Sequence, residues 1–347
     1  MAVLIIIIGF TIMLVTASFA IIPYVTRRTE SFGVSIPESE YENPDLKDMR
    51  SDYVKKTIST GIIFVAAATM LLLIFGENAF WITFVVLADT AAHFLVYYGT
   101  HKKMKEYKAG AAWKGDVSMK IHVQFTEPTD TGVKAASPLW FALFAAITAI
   151  NTAVVLYLHP TLPDMTPMFM PGMLAFMSLL FVLVYLTIVK SKRKIDPENP
   201  AESAFRVDVF RAAWINFTIF AGLLLIGSIS LMHLAELGVV PLTIKAATTL
   251  VILVTVIVVA WSFVLALRYG QGGSRINRNR KKGTTIDAGE DDRYWKAGIF
   301  YFNKDDPSLF VEKRFGVGFT FNMARPSIWL VVAGIVVFFV VWTCTYL

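Results

Sequence analysis

Eight apolar runs dominate this chain, at Ala2–Tyr24, Ile58–Phe75, Ala79–Tyr98, Pro138–Leu158, Met170–Val189, Ala213–Met232, Leu242–Leu267 and Ser327–Leu347. Each is near or above the roughly 20 residues that carry an α-helix across a hydrocarbon core of about 30 Å. Inside a bilayer a segment must satisfy its own backbone hydrogen bonds, and the helix does this within a single run. The pattern therefore predicts an all-α integral membrane protein with eight transmembrane helices. With 56% hydrophobic and 17% charged residues, the composition excludes an ordinary soluble domain.

The charges orient the helices. Of 32 Lys and Arg residues, 31 fall in the four long connections 26–57, 99–137, 190–212 and 268–326, while the short connections 76–78, 159–169 and 233–241 have none. The exception, Lys245, lies just inside the seventh run, where its stem can carry the ammonium to the surface. The positive-inside rule places the long loops in the cytoplasm and both termini outside. The net charge of +6 is accordingly read as contact with anionic lipid, not nucleic acid. Arg27 and Arg28 follow the first run and nothing basic precedes it. That is the charge order of an anchor inserted amino-terminus outward, so this run is read as a span and not a cleaved signal peptide.

The cytoplasmic loops carry strand patterns. Val117, Met119, Ile121, Val123 and Phe125 alternate with polar residues, as do Phe32, Val34 and Ile36 ahead of Pro37. In the last loop, Gly298–Phe302, Leu309–Lys313 and Val317–Asn322 are separated by turn-forming residues. Isolated hairpins are marginal in water, so these segments predict a small cytoplasmic β cap built from three loops. The expected organisation is a seven-helix membrane region over 1–267, a basic Gly-rich linker and hairpin-like domain over 268–326, and an eighth helix over 327–347. The glycines among the arginines of 268–283 lack the strand-loop-helix setting and Lys-Ser/Thr ending of a phosphate-binding loop.

Asp89 lies near the middle of the third run and His93 follows at i+4, on the same helix face. An ionisable residue at that depth faces the bundle interior or a wet cavity and marks a ligand site or proton relay, or else a structural hydrogen bond.

Enzyme chemistry is not expected. The chain has no His-Glu-x-x-His motif, and its histidines at 93, 101, 122, 159 and 233 lack close ligand spacing. His159 and His233 lie at outer helix ends near Asp164 and Glu236, where solvated interfacial histidines are the expectation. Ser228 and Ser230, with Gly222 and Gly227, read as small packing residues. Cys344 is the single cysteine, so neither an intrachain disulfide nor a cysteine metal site is expected. No cofactor is expected either.

Two stretches point to a family. TRRTESFGVSIPESEY at 26–41 contains Arg27, Arg28 and Pro37. WKAGIFYFNKDDPSLFVEKRFGVGFTFNMARP at 295–326 is centred on Asn303, Asp305, Asp306 and Pro307, with Gly316, Gly318 and Asn322 beyond. They resemble an uncharacterised family of bacterial multi-pass membrane proteins related to the SdpI-type immunity proteins, the second stretch being similar to a short domain of unknown function. The Gly-Gln-Gly-Gly segment at 270–273 is similar to the end of a late span in the same group. A departure is that the immunity proteins' Pro-x-His arrangement is replaced by Ser35-Ile36-Pro37-Glu38. The resemblance implies a bacterial plasma membrane and a role in toxin immunity or envelope signalling, with a peptide toxin or another membrane protein as partner. The competing expectation is a proton-coupled secondary transporter using Asp89 and His93 at the midplane. The span-end positions of Pro138, Pro171 and Pro241 count against it.

Overall fold

The computed structural model describes residues 2–111, 113, 132–158, 168–193, 200–276 and 289–346. Among these, the helices are α1 (Ala2–Val25), α2 (Pro44–Phe75), α3 (Ala79–Gly110), α4 (Phe141–Leu158), α5 (Phe169–Lys190), α6 (Pro200–Glu236), α7 (Ile244–Tyr269) and α8 (Pro326–Tyr346). Seven of them, α1 to α7, are long and apolar enough to cross a membrane, and α8 is apolar with a shorter described stretch at Pro326–Val341. The chain fits a multi-pass membrane protein.

Three helices outrun their apolar stretches. α2 begins at Pro44 instead of near Ile58, α3 continues to Gly110, and α6 begins at Pro200. The physical cause lies at the caps. Asn43 accepts a hydrogen bond from the Asp45 amide and Pro44 takes the first helical position, which suits a residue with no N–H to satisfy. At 32 residues each, α2 and α3 reach about 48 Å, well past a 30 Å core, so polar turns stand beyond the apolar span. Between them Gly76, at φ 69°, ends α2 and Asn78 caps α3 through the Phe80 amide.

The contacts divide the chain into two units, the first comprising 1–122, 277–303 and 313–320, the second 123–276, 304–312 and 321–347. In the first, α1, α2 and α3 pack against one another, with Ile8, Ile12, Ala68, Leu72 and Val85 forming one core cluster. A second cluster includes Phe32, Val34, Ile36, Tyr53, Tyr97, Met104 and Phe315, drawn from the connection after α1, from α2 and α3, and from the last connection. In the second unit, α4, α5 and α6 close around Phe144, Leu174 and Ile226, and Phe176 of α5 stacks on Phe338 of α8 at 4.1 Å.

The strands are short: β1 (Glu30–Ser31), β2 (Val34–Ser35), β3 (Trp295–Lys296), β4 (Phe300–Tyr301), β5 (Phe310–Glu312) and β6 (Phe319–Phe321). β1 pairs with β2 and β3 with β4, both antiparallel. The expected cap is thus corrected in form. Among the described residues its strands make separate two-stranded ribbons, and in the first unit packing of the β1–β2 turn on the β3–β4 turn replaces a shared ladder. The segment Val117–Phe125, expected to join them, lies outside the described residues.

Candidate functional site

α3 presents one continuous buried face. Asp89, His93, Tyr97 and His101 recur every fourth residue and Met104 follows, all buried, with Asp89, His93 and Met104 at 0% exposure. Lys108 is the next residue on this face. Side chains four apart stack along one side of a helix, so the face runs about 28 Å from Asp89 to Lys108.

At its membrane end, His93 Nε2 lies 3.2 Å from Asp89 Oδ1 and 3.1 Å from Thr16 Oγ1 of α1. Thr16 donates to the Ile12 carbonyl at 2.8 Å, and Phe19 stacks on the imidazole with centroids 5.3 Å apart. Gly61 of α2 makes room for Thr16, since a Cβ there would lie 2.1 Å from Thr16 Oγ1. The sequence-expected pairing of Asp89 and His93 is therefore present, with Thr16 as a partner the sequence did not indicate.

One turn farther, Tyr97 donates to the Ala297 carbonyl at 2.8 Å and to that of Phe32 at 3.5 Å, and His101 Nδ1 lies 2.8 Å from the same Phe32 carbonyl. These carbonyls belong to two similar turns. Phe32 (φ 47°) and Gly33 (φ 78°) connect β1 to β2, while Ala297 (φ 51°) and Gly298 (φ 71°) open the connection from β3 to β4. Positive φ at a residue as bulky as Phe is strained, and such geometry persists only where surroundings over-determine it. Here they do. Phe32 is almost completely buried, edge-on to Tyr53 at 5.1 Å and 5.9 Å from Phe315, which itself stacks on Tyr97 at 4.1 Å.

At the far end Asp292 gathers charge. Lys108 reaches it at 2.5 Å, Arg314 pairs with its other oxygen, and the Ser35 amide points to it at 3.4 Å. Burial alone would raise the Asp292 carboxyl, but Arg314 and Lys108 outweigh it and hold it below the usual carboxylate range.

The family-motif residues are placed in two ways. In the first unit, Arg28 pairs with Glu42 at 3.6 Å and lies over the Tyr41 ring, as does the buried Arg50 at 4.2 Å from its centroid. Arg27 is half-buried, and Pro37 is buried ahead of the 3-10 turn Glu38–Glu42. Asn303 donates to Tyr301 Oη at 3.1 Å, the amide of Gly316 (φ 98°) donates to Thr26 Oγ1 at 3.1 Å, and the carbonyl of Gly318 (φ 110°) accepts from the Lys313 amide. In the second unit, the Asp306 carbonyl accepts from Asn322 Nδ2 at 3.1 Å and from the Arg325 guanidinium, Nε lying at 3.0 Å. Asp306 Oδ1 takes the Ser308 amide at 2.9 Å, and Oδ2 lies 3.4 Å from Lys192. The Asn322 amide donates to the Leu309 carbonyl at 2.9 Å. These bonds form a clasp just before α8. Asp305 and Pro307 are exposed beside it.

A further polar cluster in the second unit was not anticipated. Asn151 of α4 donates to Ser230 of α6 at 2.6 Å and to the Ile147 carbonyl at 2.9 Å, and its Oδ1 meets His233 Nδ1 at 3.0 Å. All three residues are buried, so the expectation of a solvated His233 is corrected. His159 and Asp164 lie outside the described residues. Gly222 serves close packing as expected, a Cβ there falling 2.6 Å from Phe144, whereas one on Gly227 would meet nothing within 4 Å. The 270–273 segment ends α7: Gly270 has φ 62°, Gln271 is fully buried, and a Cβ on Gly273 would lie 2.5 Å from the Arg206 carbonyl.

Residues 304–329 match a family of unknown function (DUF5808). The match takes in the clasp formed by Asp306, Asn322 and Arg325. No curated protein and no solved structure matches the chain.

Proposed function

We propose that this is a non-enzymatic multi-pass protein of a bacterial plasma membrane, acting in envelope signalling or toxin immunity by passing a change within the bilayer to its cytoplasmic side. The observation that carries this reading is the single buried face of α3. It holds the Asp89–His93 pair at one end, and at the other the Tyr97, His101 and Lys108 contacts to Phe32, Ala297 and Asp292. A helix packed along its length moves as a rigid body, so displacement at the pair reaches both turns. One-sided charge supports eight spans with external termini, which puts the turns in the cytoplasm. The exposed Lys102, Lys103 and Lys105 then face anionic headgroups. The motif resemblance supports kinship with the SdpI-type proteins, a peptide toxin or a second membrane protein being the partner sensed.

The test is a deletion strain complemented with wild type or Tyr97→Phe and challenged with membrane-active peptides and with pH shifts. Tyr97→Phe protein present at normal abundance but failing to protect supports the reading. Full protection by that variant overturns it. The burial of Asp89 and His93 within a span favours a second reading, proton-coupled transport. Proteoliposomes containing a pH-sensitive dye separate the two, because a carrier moves protons with its substrate and a signalling protein does not.

A further inference from the structure

The Asp89 cluster can be resolved into a proton inventory. The Thr16 hydroxyl hydrogen is committed to the Ile12 carbonyl at 2.8 Å, so Thr16 Oγ1 meets His93 Nε2 as an acceptor. Were Nε2 unprotonated, two lone pairs would face each other at 3.1 Å. Nε2 therefore carries the hydrogen and directs it at Thr16 Oγ1, while Asp89 Oδ1 lies 3.2 Å away without a hydrogen bond. His93 Nδ1 is buried with no hydrogen-bond partner among the described residues. As a bare lone pair this is tolerable, but an imidazolium would bury an N–H with nothing to accept it.

Asp89 is equally constrained. Both its carboxylate oxygens are buried with no hydrogen-bond partner among the described residues, and its contacts cannot neutralise an anion. α1 contains no charged residue, and the last charge on α2 before its apolar stretch is Lys56. The titratable groups nearby on the packed helices are Tyr53, which donates to the Phe19 carbonyl at 3.1 Å, and Tyr97, which is committed to the two turns. An ionised Asp89 would be an uncompensated charge in a sealed site.

We infer that Asp89, His93 and Thr16 form a binding site for one exchangeable proton, held on the Asp89 carboxyl group in this conformation. Protonation converts the carboxylate to a carboxylic acid with the proton coming from water; release returns it and leaves a charge that this packing cannot hold. Proton loss therefore requires α1 and α3 to separate enough to admit water. The ligand of the site is the proton itself. The consequence at the two turns rests on the signalling reading, whereas proton binding does not.

The test is pH-difference infrared spectroscopy of the full chain in lipid nanodiscs, alongside protease accessibility of the turn at Lys296. Wild type should show a protonated-carboxyl C=O band that disappears as pH is raised. The band should be lost in Asp89→Asn and retained in Asp52→Asn. A wild type without the band, or a band unchanged in a folded Asp89→Asn protein, overturns the proposal. If the band titrates, Lys296 accessibility should follow it in wild type and become independent of pH in Asp89→Asn. A titrating band with unchanged accessibility sustains the proton site and sinks the signalling reading instead.

Discussion

Gly33 and Gly298 stand back to back, so close that a Cβ on Gly33 would lie 2.6 Å from both the Cα and the carbonyl oxygen of Gly298. A Cβ on Gly298 would in turn lie 2.6 Å from Tyr97 Oη. Two turns separated by most of the sequence thus meet with no room for a methyl group, and Tyr97 joins them. Gly33→Ala and Gly298→Ala should each open this junction. Both need positive φ, which costs an L-residue about 1–2 kcal/mol before any clash with backbone is counted. Gly99→Ala, where a Cβ meets nothing within 4 Å, is the control. Limited trypsin digestion should cut faster at Lys296 in the two turn variants than in the control; equal rates would show that the junction is not formed.

Removing only the Tyr97 hydroxyl isolates its hydrogen bonds from the ring packing. Tyr97→Phe preserves the stack on Phe315 but leaves the Ala297 carbonyl without its 2.8 Å donor. An unsatisfied buried acceptor costs about 1–3 kcal/mol. The variant should keep its abundance and show faster amide exchange at Gly298 and Ile299, while His101→Ala should act chiefly on Phe32 and Gly33. Identical exchange patterns for the two variants would mean that the turns open together.

How much of this was legible in the sequence follows from physical range. Helices announce themselves through contiguous apolar residues, and Asp89 with His93 was readable because i and i+4 are neighbours on any helix. The same period extends to Tyr97 and His101, a signal present in the sequence but masked by the surrounding aromatic residues. Long-range partners leave no such trace: nothing about Thr16, Phe315 or Asp292 reveals that they meet α3. The alternation of Phe32, Val34 and Ile36 suggested a strand, yet those side chains enter a helical core beside a turn with positive φ. The clasp residues Asp306 and Asn322 stood out as family markers, but their hydrogen bonds use the backbone carbonyl of Asp306, which no pattern of side chains can disclose.

Acid should weaken the charged end of the α3 face. Asp292 has a folded pKa below its unfolded value of about 3.9, so its contribution is complete above that value and is lost as pH falls through the folded one. Between neutral pH and about pH 5 this group should therefore change nothing. Asp292→Asn should lower stability at neutral pH, because Lys108 and Arg314 then lose their shared anion, and the difference from wild type should vanish in strong acid. Thermal melts in detergent across this range give the comparison. A difference that grows toward low pH would contradict the sign.

Orientation has a direct chemical reading. If 31 of the 32 basic residues mark the cytoplasmic side, Cys344 lies near the outer surface and Lys296 inside. In a Cys344→Ser background, Lys296→Cys should react with an impermeant maleimide only after cell lysis. Labelling of Lys296→Cys in intact cells would invert the proposed topology, and with it the side on which the two turns work.

The Asn151 cluster offers a test of the second unit by itself. Asn151 uses both amide hydrogens, on the Ile147 carbonyl and Ser230 Oγ, and its Oδ1 faces His233 Nδ1, so that nitrogen carries a hydrogen. Asn151→Leu removes all three interactions while keeping the branched shape of the side chain, at a somewhat larger volume. Interhelical hydrogen bonds in membranes average about 0.6 kcal/mol by double-mutant cycles, because the unfolded reference also finds partners. The α4–α6 bonds to Ser230 and His233 should therefore lose about 1–2 kcal/mol together, with non-additivity between Asn151→Ala and His233→Ala of about 0.5 kcal/mol or more. Ser230→Ala separates the two roles, since it removes the bond from Asn151 Nδ2 and leaves Asn151 Oδ1 facing His233, so it should cost less than Asn151→Leu. Reversible unfolding in mixed detergent micelles measures both effects, and strictly additive single variants would show that Asn151 and His233 do not act on one another.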